Sequence, residues 1–565
     1  MVLAGCLLAA PLVYADADLE TELARDVVLR ALVDELDRNI GGLELEDLER
    51  PYFIEYALRD LDSAGVTAEL SSVAVRNAGR SRRLRAEVRV GSYELDNTNF
   101  SRGGFGRFGL LRGAGRASIP IEDDYNAIRQ AIWWQTDRAY KSVVETLAQK
   151  KAFMKSKMIE EKPPDFSRET PVVFLEARIA PQIDRDWLEM LAVRLSEVFR
   201  DHPEVLESSA SVDASAGNKY LVNTEGTRIR VPGSLFVVSV SATVQADDGM
   251  ELSDSFTIYA RQQDDIPPLP ELEQRAGQMV QQLIALKNAP RVEEAYTGPV
   301  LFDAEAAAAL FSQHFGRRFA GGQRPVGSET SVDDFANKLN RRILPRFMDV
   351  VDDPLLERFE GKPLMGHFVH DDQGVPAQTT RLVENGRLKN LLMSRNPSKA
   401  FDRSNGHGRG FYSPAAGIGT VLVTADPAAS EAELIEELIE AAQDEGLPYA
   451  MRIRSLGSVG GGYGGYYGSS TPLMMYRVYP DGREELVRGA QIARIDLKDF
   501  KRMLAAGDQP YALNSGSRGR GQSVVAPAML FEELDLAKID RDFDKPPILP
   551  APLAREGAEP ERRSR

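Results

Sequence analysis

The chain has 565 residues, 43% of them apolar, enough to build more than one core, and two large domains is the natural count. Its 69 Lys and Arg against 85 Asp and Glu give a net charge of -16, which favours solubility and excludes sequence-independent binding to nucleic acid. Five histidines and one cysteine leave few residues for a metal site and call for no disulfide.

The first residues form an apolar run that ends in small residues spaced Ala15-Asp16-Ala17. This pattern predicts a signal peptide over residues 1–17, export to the periplasm and a mature start near Asp16 or Asp18, although the basic n-region is missing. The alternative is a short buried helix in a cytoplasmic protein. Leu3-Ala4-Gly5-Cys6 also fits a lipoprotein processing box, but the residues after Cys6 are apolar where a mature tether is usually polar. No later segment is long and apolar enough to span a membrane.

Leu19, Leu23, Val27 and Ala31 then recur at helical spacing, Val28, Leu32 and Leu36 widen the stripe, and Gly41-Gly42 ends the helix. Alternating apolar and polar residues predict short strands at Tyr52 to Leu58, Val66 to Val75 and Leu84 to Tyr93, with hairpin turns at Asp62-Ser63 and Asn77-Ala78-Gly79. A long helix from Asp124 to Lys157 carries Ile128, Ile132, Trp133 and Val143-Val144, and a Lys162-Pro163-Pro164 linker follows. The pattern then repeats loosely. A strand (Pro171 to Ile179) and a helix (Asp184 to Phe199) precede strands at Ser208 to Asp213, Lys219 to Val222, Thr227 to Val231, Leu235 to Gln245 and Ser253 to Ala260, and a helix from Glu271 to Lys287 closes the series. Asn288-Ala289-Pro290 marks a boundary, so residues 18–290 form one domain. A second, over 294–540, is rich in strands with helices at Ala304 to Arg317 and Glu431 to Glu445, and 546–565 reads as a disordered tail. The fold class is α+β in two domains: a mixed N-terminal domain of antiparallel strands and long helices, and a strand-rich C-terminal domain.

Common catalytic patterns are missing. Gly460, Gly462 and Gly465 satisfy Gly-x-Gly-x-x-Gly, but Tyr466 to Pro472 follow where a phosphate-binding helix would start, so the segment reads as a loop. The chain has no Gly-x-Ser-x-Gly elbow and no Walker-type loop. His367-Phe368-Val369-His370-Asp371-Asp372 holds ligand-type residues, yet side chains three apart on a strand point to opposite faces, so a shared metal is not expected. His314 is expected to face solvent or pack against a neighbour, His202 and His407 have no supporting pattern, and Arg518 to Gly521 reads as a flexible basic turn.

One ordered set of motifs stands out in the second domain. Gly298-Pro299-Val300-Leu301-Phe302, an Ala-rich run (Ala304 to Ala309) and Leu310 to Arg317 are followed by Asp371-Asp372-Gln373-Gly374-Val375-Pro376 and Leu382 to Lys389 around Glu384-Asn385-Gly386. Next come a Gly-rich stretch (Gly457 to Gly468), Tyr479-Pro480-Asp481-Gly482, Val487-Arg488-Gly489-Ala490 and Arg520-Gly521-Gln522-Ser523-Val524-Val525-Ala526-Pro527. In order and content this set resembles the C-terminal domain of the TldD/PmbA family, the peptidases once called modulators of DNA gyrase. Asn223-Thr224-Glu225-Gly226 is similar to a hairpin of the family's N-terminal domain.

The resemblance implies a site, and the residues here depart from it. Catalytic members carry His-Glu-x-x-x-His on the helix and a Cys zinc ligand just before the last motif; the matching positions here are Ser312, Gln313, Arg317 and Ser517. Arg317 has no lone pair and repels a dication, Gln313 cannot act as a base, and a neutral hydroxyl is a poor zinc ligand. No catalytic residue, zinc or other cofactor is therefore expected, and whether the chain is an enzyme stays open. The stretch after Pro299 is more like the PmbA half of the family than the zinc-bearing half. The first reading is thus a non-catalytic subunit that binds unstructured peptides and forms a homodimer, or a heterodimer with a zinc-bearing TldD-like homologue. A second reading is a stand-alone exported peptide-binding scaffold, and a third is an active metallopeptidase with a relocated metal site.

Overall fold

Asp26 divides the N-terminal helical run in two. Its carboxylate accepts hydrogen bonds from the Val28 and Leu29 amides (3.0 and 3.1 Å), which caps α2 (Val27–Gly42) and separates it from α1 (Asp16–Arg25). The expected single helix is therefore two. The same carboxylate accepts from the Tyr220 hydroxyl (3.1 Å) and the Arg230 guanidinium (3.0 Å), so the cap also ties the helix to the sheet beneath it. The structure is a computed structural model and describes residues 16–45, 48–101, 114–328, 335–457, 472–517, 520–540, 542–549 and 551–554. The apolar start up to Ala15, the Gly460-Gly462-Gly465 segment, Arg518 and the last eleven residues of the expected tail lie outside them.

The first domain is built on very long strands. β1 (Pro51–Glu69) and β2 (Ser72–Val90) form one hairpin whose turn falls at Leu70 and Ser71, both with positive φ (49° and 66°). The turns expected at Asp62-Ser63 and Asn77-Ala78-Gly79 are instead paired ladder: Asp62 stands opposite Arg80, and Ser63 opposite Gly79. Pairing continues through these polar residues because Ala64, Val66 and Ala68 beyond them are still buried under a helix. After β3 (Ala114–Ser118) comes α3 (Tyr125–Ser156), where a helix from Asp124 to Lys157 was expected, capped by the Asp124 carboxylate. Then follow β4 (Val173–Leu175), shorter than expected, and α4 (Arg185–Glu197). β5 (Val205–Asn223) and β6 (Arg228–Gln245) make a second long hairpin, each a single strand where two were expected, and β7 (Glu251–Ala260) and α5 (Leu269–Asn288) complete the unit.

The strand order is β3-β2-β1-β5-β6, with β4 and β7 both on the far side of β6. The repeat read in the sequence is thus helix-hairpin-helix twice over. α2 and α3 cover Ile54, Tyr56 and Leu58 of β1, while α4 and α5 cover Ala64, Val66 and Ala68 on the same face. The opposite face is left for the second domain, where Ala57, Leu221 and Ile229 pack against Phe411.

The second domain is a three-layer arrangement around β8 (Tyr296–Phe302). Val300 and Phe302 enter the core beneath α6 (Ala304–Phe315), and Leu301 points into a smaller core on the other side. Burial on both faces explains the apolar run from Pro299 to Phe302 at the end of this strand. Through β9 (Met348–Asp352), β10 (Thr380–Glu384), β11 (Thr420–Ala425), α7 (Glu431–Asp444), β12 (Ala450–Leu456), β13 (Pro472–Val478), α8 (Leu497–Lys501), β14 (Met503–Ser517) and β15 (Arg520–Lys538), the chain builds a sheet of order β10-β9-β11-β15-β8-β12-β13. β14 pairs with β15 as a hairpin, and α7 supplies Leu434 and Leu438 to the smaller core. The Glu384-Asn385-Gly386-Arg387 motif is a two-residue turn with positive φ at Asn385 (48°) and Gly386 (72°), where a Cβ on Gly386 would lie 2.3 Å from the Leu344 carbonyl. No described helix is long and apolar enough to cross a membrane.

Arg395 joins the domains. It is buried, its guanidinium takes both carboxylate oxygens of Glu225 at 2.7 Å, it donates to the Ser167 carbonyl at 2.6 Å, and it lies 3.8 Å over the Phe166 ring. Replacing it (Arg395→Met) leaves the Glu225 carboxylate with only the Tyr93 hydroxyl and the Ser167 carbonyl without its guanidinium donor, and is expected to cost about 3 kcal/mol in urea unfolding. Arg395→Lys should not restore it, because an ammonium lacks the planar fork. A loss under about 1 kcal/mol, the range of an exposed ion pair, would refute this role.

Candidate functional site

α6 is divided lengthwise by its own sequence. Leu310, Phe311 and Phe315 face the core, Phe311 stacks on Phe315 at 4.4 Å, and Phe315 meets Phe500 of α8 edge-on at 4.8 Å. Burial of each ring contributes roughly 2–3 kcal/mol, so this face alone fixes the helix. Ser312 is half-buried and Gln313 exposed on the other side. The helix stops at Phe315, two residues earlier than expected, because Gly316 is a poor helix former and its amide closes the last turn on the Ser312 carbonyl (3.1 Å). Arg317 therefore lies in the turn beyond the helix, exposed. Ser517 ends β14, paired with Arg520 across the hairpin.

A hydroxyl on the helix, an amide, a guanidinium and a second serine do not make a donor set for zinc. Among the described residues no three His, Cys, Asp or Glu side chains converge. The histidines have other work. His314 packs on Phe500 at 5.3 Å, and burial, aided by the Arg318 charge, pushes it down to about 4, so the imidazole is neutral. His367 has Nδ1 3.1 Å from the Pro354 carbonyl, and His370 packs on Phe174 of the first domain at 4.8 Å; burial lowers the pKa of both.

The Asp371 to Pro376 motif docks the domains together. Asp371 accepts hydrogen bonds from the Gln373 and Val375 amides (2.9 Å each) and the Gly408 amide (2.7 Å), while burial pushes its carboxyl up to about 6 against those bonds. Gly374 has φ +80°, and a Cβ there would lie 2.7 Å from Leu221 Cδ2 and 2.9 Å from Thr227 Cγ2. Glycine is what lets this turn press against β5 and β6.

An open strand edge lies beside these positions. β7 pairs with β6 along one side, and no other described strand pairs with its outer side. The β14–β15 hairpin stands next to it: a Cβ on Gly516 would lie 3.4 Å from Tyr259 Cε1. Asp254 of β7 and Glu305 in the first turn of α6 share this space with Arg275. Burial pushes Asp254 up to about 6, with the Glu305 charge adding to the rise; burial also raises Glu305, against the pull of Arg275 and Lys362. Such an arrangement can hold extended backbone by main-chain hydrogen bonds, with side chains of both domains around it. Sequence reading found β7 but not its free edge, since strand order is a long-range property.

Residues 295–538 match the PmbA/TldA metallopeptidase C-terminal domain. The chain is 27% identical over 243 residues to a metalloprotease PmbA homologue of Haemophilus influenzae, covering 42% of this chain and 50% of the relative. To a metalloprotease of Methanocaldococcus jannaschii it is 29% identical over 109 residues, 19% of this chain and 23% of that protein. The matched stretch thus spans half or less of these curated relatives. In fold it is similar to the crystal structure of TldE from Thermococcus kodakarensis (TM-score 0.58, 14% identity, 90% of this chain and 100% of that one). It is likewise similar to a putative modulator of DNA gyrase from Thermotoga maritima (TM-score 0.59, 14% identity, 89% and 100%).

The neutral packing of His314 has a measurable consequence. Its folded pKa is depressed to about 4 from about 6.5, so the stability it contributes is complete above about pH 6.5 and is lost as pH falls toward 4. His314→Phe should lose less stability than wild type over that window, as read by urea midpoints at each pH. An unchanged acid slope would show that His314 is solvated rather than packed.

Proposed function

From the match of residues 295–538 to the PmbA/TldA C-terminal domain, we propose that the chain is a non-catalytic relative of the TldD/PmbA family that binds unstructured peptides and pairs with a zinc-bearing homologue in proteolysis. The observation that carries this reading is the state of the metal positions: Ser312 and Gln313 stand on α6, Arg317 lies past its end, and Ser517 closes the hairpin. A permanent cation at one ligand position opposes a dication electrostatically, and a glutamine in place of the base leaves no group to take a proton from water.

Peptide binding needs none of the lost residues. The unpaired side of β7 next to the β14–β15 hairpin offers backbone donors and acceptors to an extended chain, and an edge of that kind selects for disorder rather than sequence. Pro299 to Phe302 and the Gln313-His314-Phe315 run, more like the PmbA half, support assignment to the partner subunit rather than the cutting one. The apolar start with its Ala15-Asp16-Ala17 ending supports a second reading, a stand-alone exported peptide-binding protein.

Metal analysis beside a peptide-cleavage assay tests the assignment. The isolated protein should hold no stoichiometric zinc and cut no peptide, and it should sediment as a dimer alone or with a His-Glu-x-x-x-His homologue. One zinc per chain with chelator-sensitive cleavage would overturn the non-catalytic reading. A monomer under both conditions would favour the stand-alone protein, and an intact Met1 in native cytoplasmic material would remove export.

A further inference from the structure

Like charges directly opposite each other on adjacent strands repel, and sheets ordinarily avoid them. Here β1 sets Arg59 opposite Arg83 on β2 and also opposite Lys219 on β5, so three cations stand in one row across three strands. The flanking Leu58, Leu84 and Tyr220 are buried under α2 and α3, so the row lies on the other face, toward the second domain. There the Arg59 guanidinium sits 4.6 Å over the Phe411 ring. A cavity of about 390 Å³ opens against it, lined by Arg59, Leu61, Ser81, Arg83, Phe411 and Tyr412. Arg83 and Lys219 are exposed.

Further cations surround the row, and they carry acids of their own. Arg409, Arg261, Arg59 and Asp372 all act on Lys219, and Arg409 is buried with an Nε that has no hydrogen-bond partner. Asp372 stands 3.9 Å from Arg59 and is the acid that acts on both Arg59 and Lys219, while Asp352 and Asp371 act on Arg409, and Glu357 and Asp265 on Arg261. Such a concentration of cations in a chain of net charge -16 runs against the average field of the protein. Crowding in the recess, then the Arg59, Arg409 and Arg261 charges, holds the Lys219 ammonium down to about 8, with Asp372 opposing the fall. Because Lys219 also meets solvent, we attribute the direction chiefly to the neighbouring cations.

We propose that the Arg83, Arg59 and Lys219 row is a carboxylate-binding subsite, which takes the terminal carboxylate or an acidic side chain of a bound extended peptide. The inference rests on the peptide-binding reading above. Asp372 already places a carboxylate 3.9 Å from Arg59, one such charge facing the three cations of the row. The forked guanidiniums suit a planar carboxylate, and the Phe411 and Tyr412 rings offer an apolar wall to the neighbouring residue.

The test uses the full chain and three labelled unstructured peptides of one neutral sequence: amidated, with a free C-terminal carboxylate, and amidated with one internal glutamate. By fluorescence anisotropy, wild type should bind at least one carboxylate form roughly tenfold more tightly than the neutral amide. Which of the two is favoured tells a terminal carboxylate from an acidic side chain. Lys219→Ala and Arg83→Ala together should erase the difference. In wild type the difference should shrink between about pH 7 and about pH 9, and in Lys219→Arg it should not. Equal binding of all three peptides by wild type, or a preference that survives the double substitution, would overturn this subsite and leave peptide binding standing. Binding of none would sink both.

Discussion

A buried guanidinium is costly unless it is paired, and each nitrogen of Arg395 has a partner at the boundary between the domains. Its partners, Glu225, the Ser167 carbonyl and the Phe166 ring, all come from the first domain, so they fix where the second sits. The polar set continues inward on the same sheet. Arg85 pairs with Glu55 and Glu87, Arg89 with Glu87 and Asp96, and Lys150 with Asp165, which also accepts from the Asp96 amide. Each of these charges is paired, although the Arg85 Nε has no hydrogen-bond partner, and a network of this kind fixes geometry more than it adds stability. The Asp371 to Pro376 turn, pressed on β5 and β6 through Gly374, works from the same interface.

Local signals in the sequence were the ones that could be read. The helices α3 and α7 carry their caps and stripes within a few residues, and Asn385-Gly386 needs no neighbour to specify a tight turn. Strand continuity was not local. Asp62, Ser63 and Gly79 have the composition of turns, and only the helix packed over Ala64 to Ala68, from far along the chain, keeps them in a ladder. Asp26 has no pattern of its own in the sequence, and its role as a cap rests on partners as distant as Tyr220 and Arg230. Likewise the Asn223 to Gly226 turn was visible as a motif, but its purpose depends on Arg395, which had no pattern of its own.

The candidate site divides in the same way. Ser312, Gln313, Arg317 and Ser517 could be named from motif order, and their donor chemistry followed from residue type. The His367 to Asp372 cluster is set aside in the sequence on strand geometry, but the segment is loop and turn with one isolated bridge at His370, and its side chains are taken up by the Pro354 carbonyl, the Phe174 ring and the Gly408 amide. What could not be read was the free edge of β7 or the cation row on the neighbouring face, since both are made by register between strands distant in sequence.

The lengthwise division of α6 separates the inheritance of architecture from the inheritance of chemistry. Its aromatic face is held by Phe500 and the sheet, and nothing on that face depends on what the outer positions carry. Positions 312, 313 and 317 lie outside that aromatic packing, so selection for a stable core acts on them less directly than on Phe311 and Phe315. A lineage can lose such a site residue by residue while the helix that bore it persists in place. The same scaffold then stays available to whatever contact next confers an advantage.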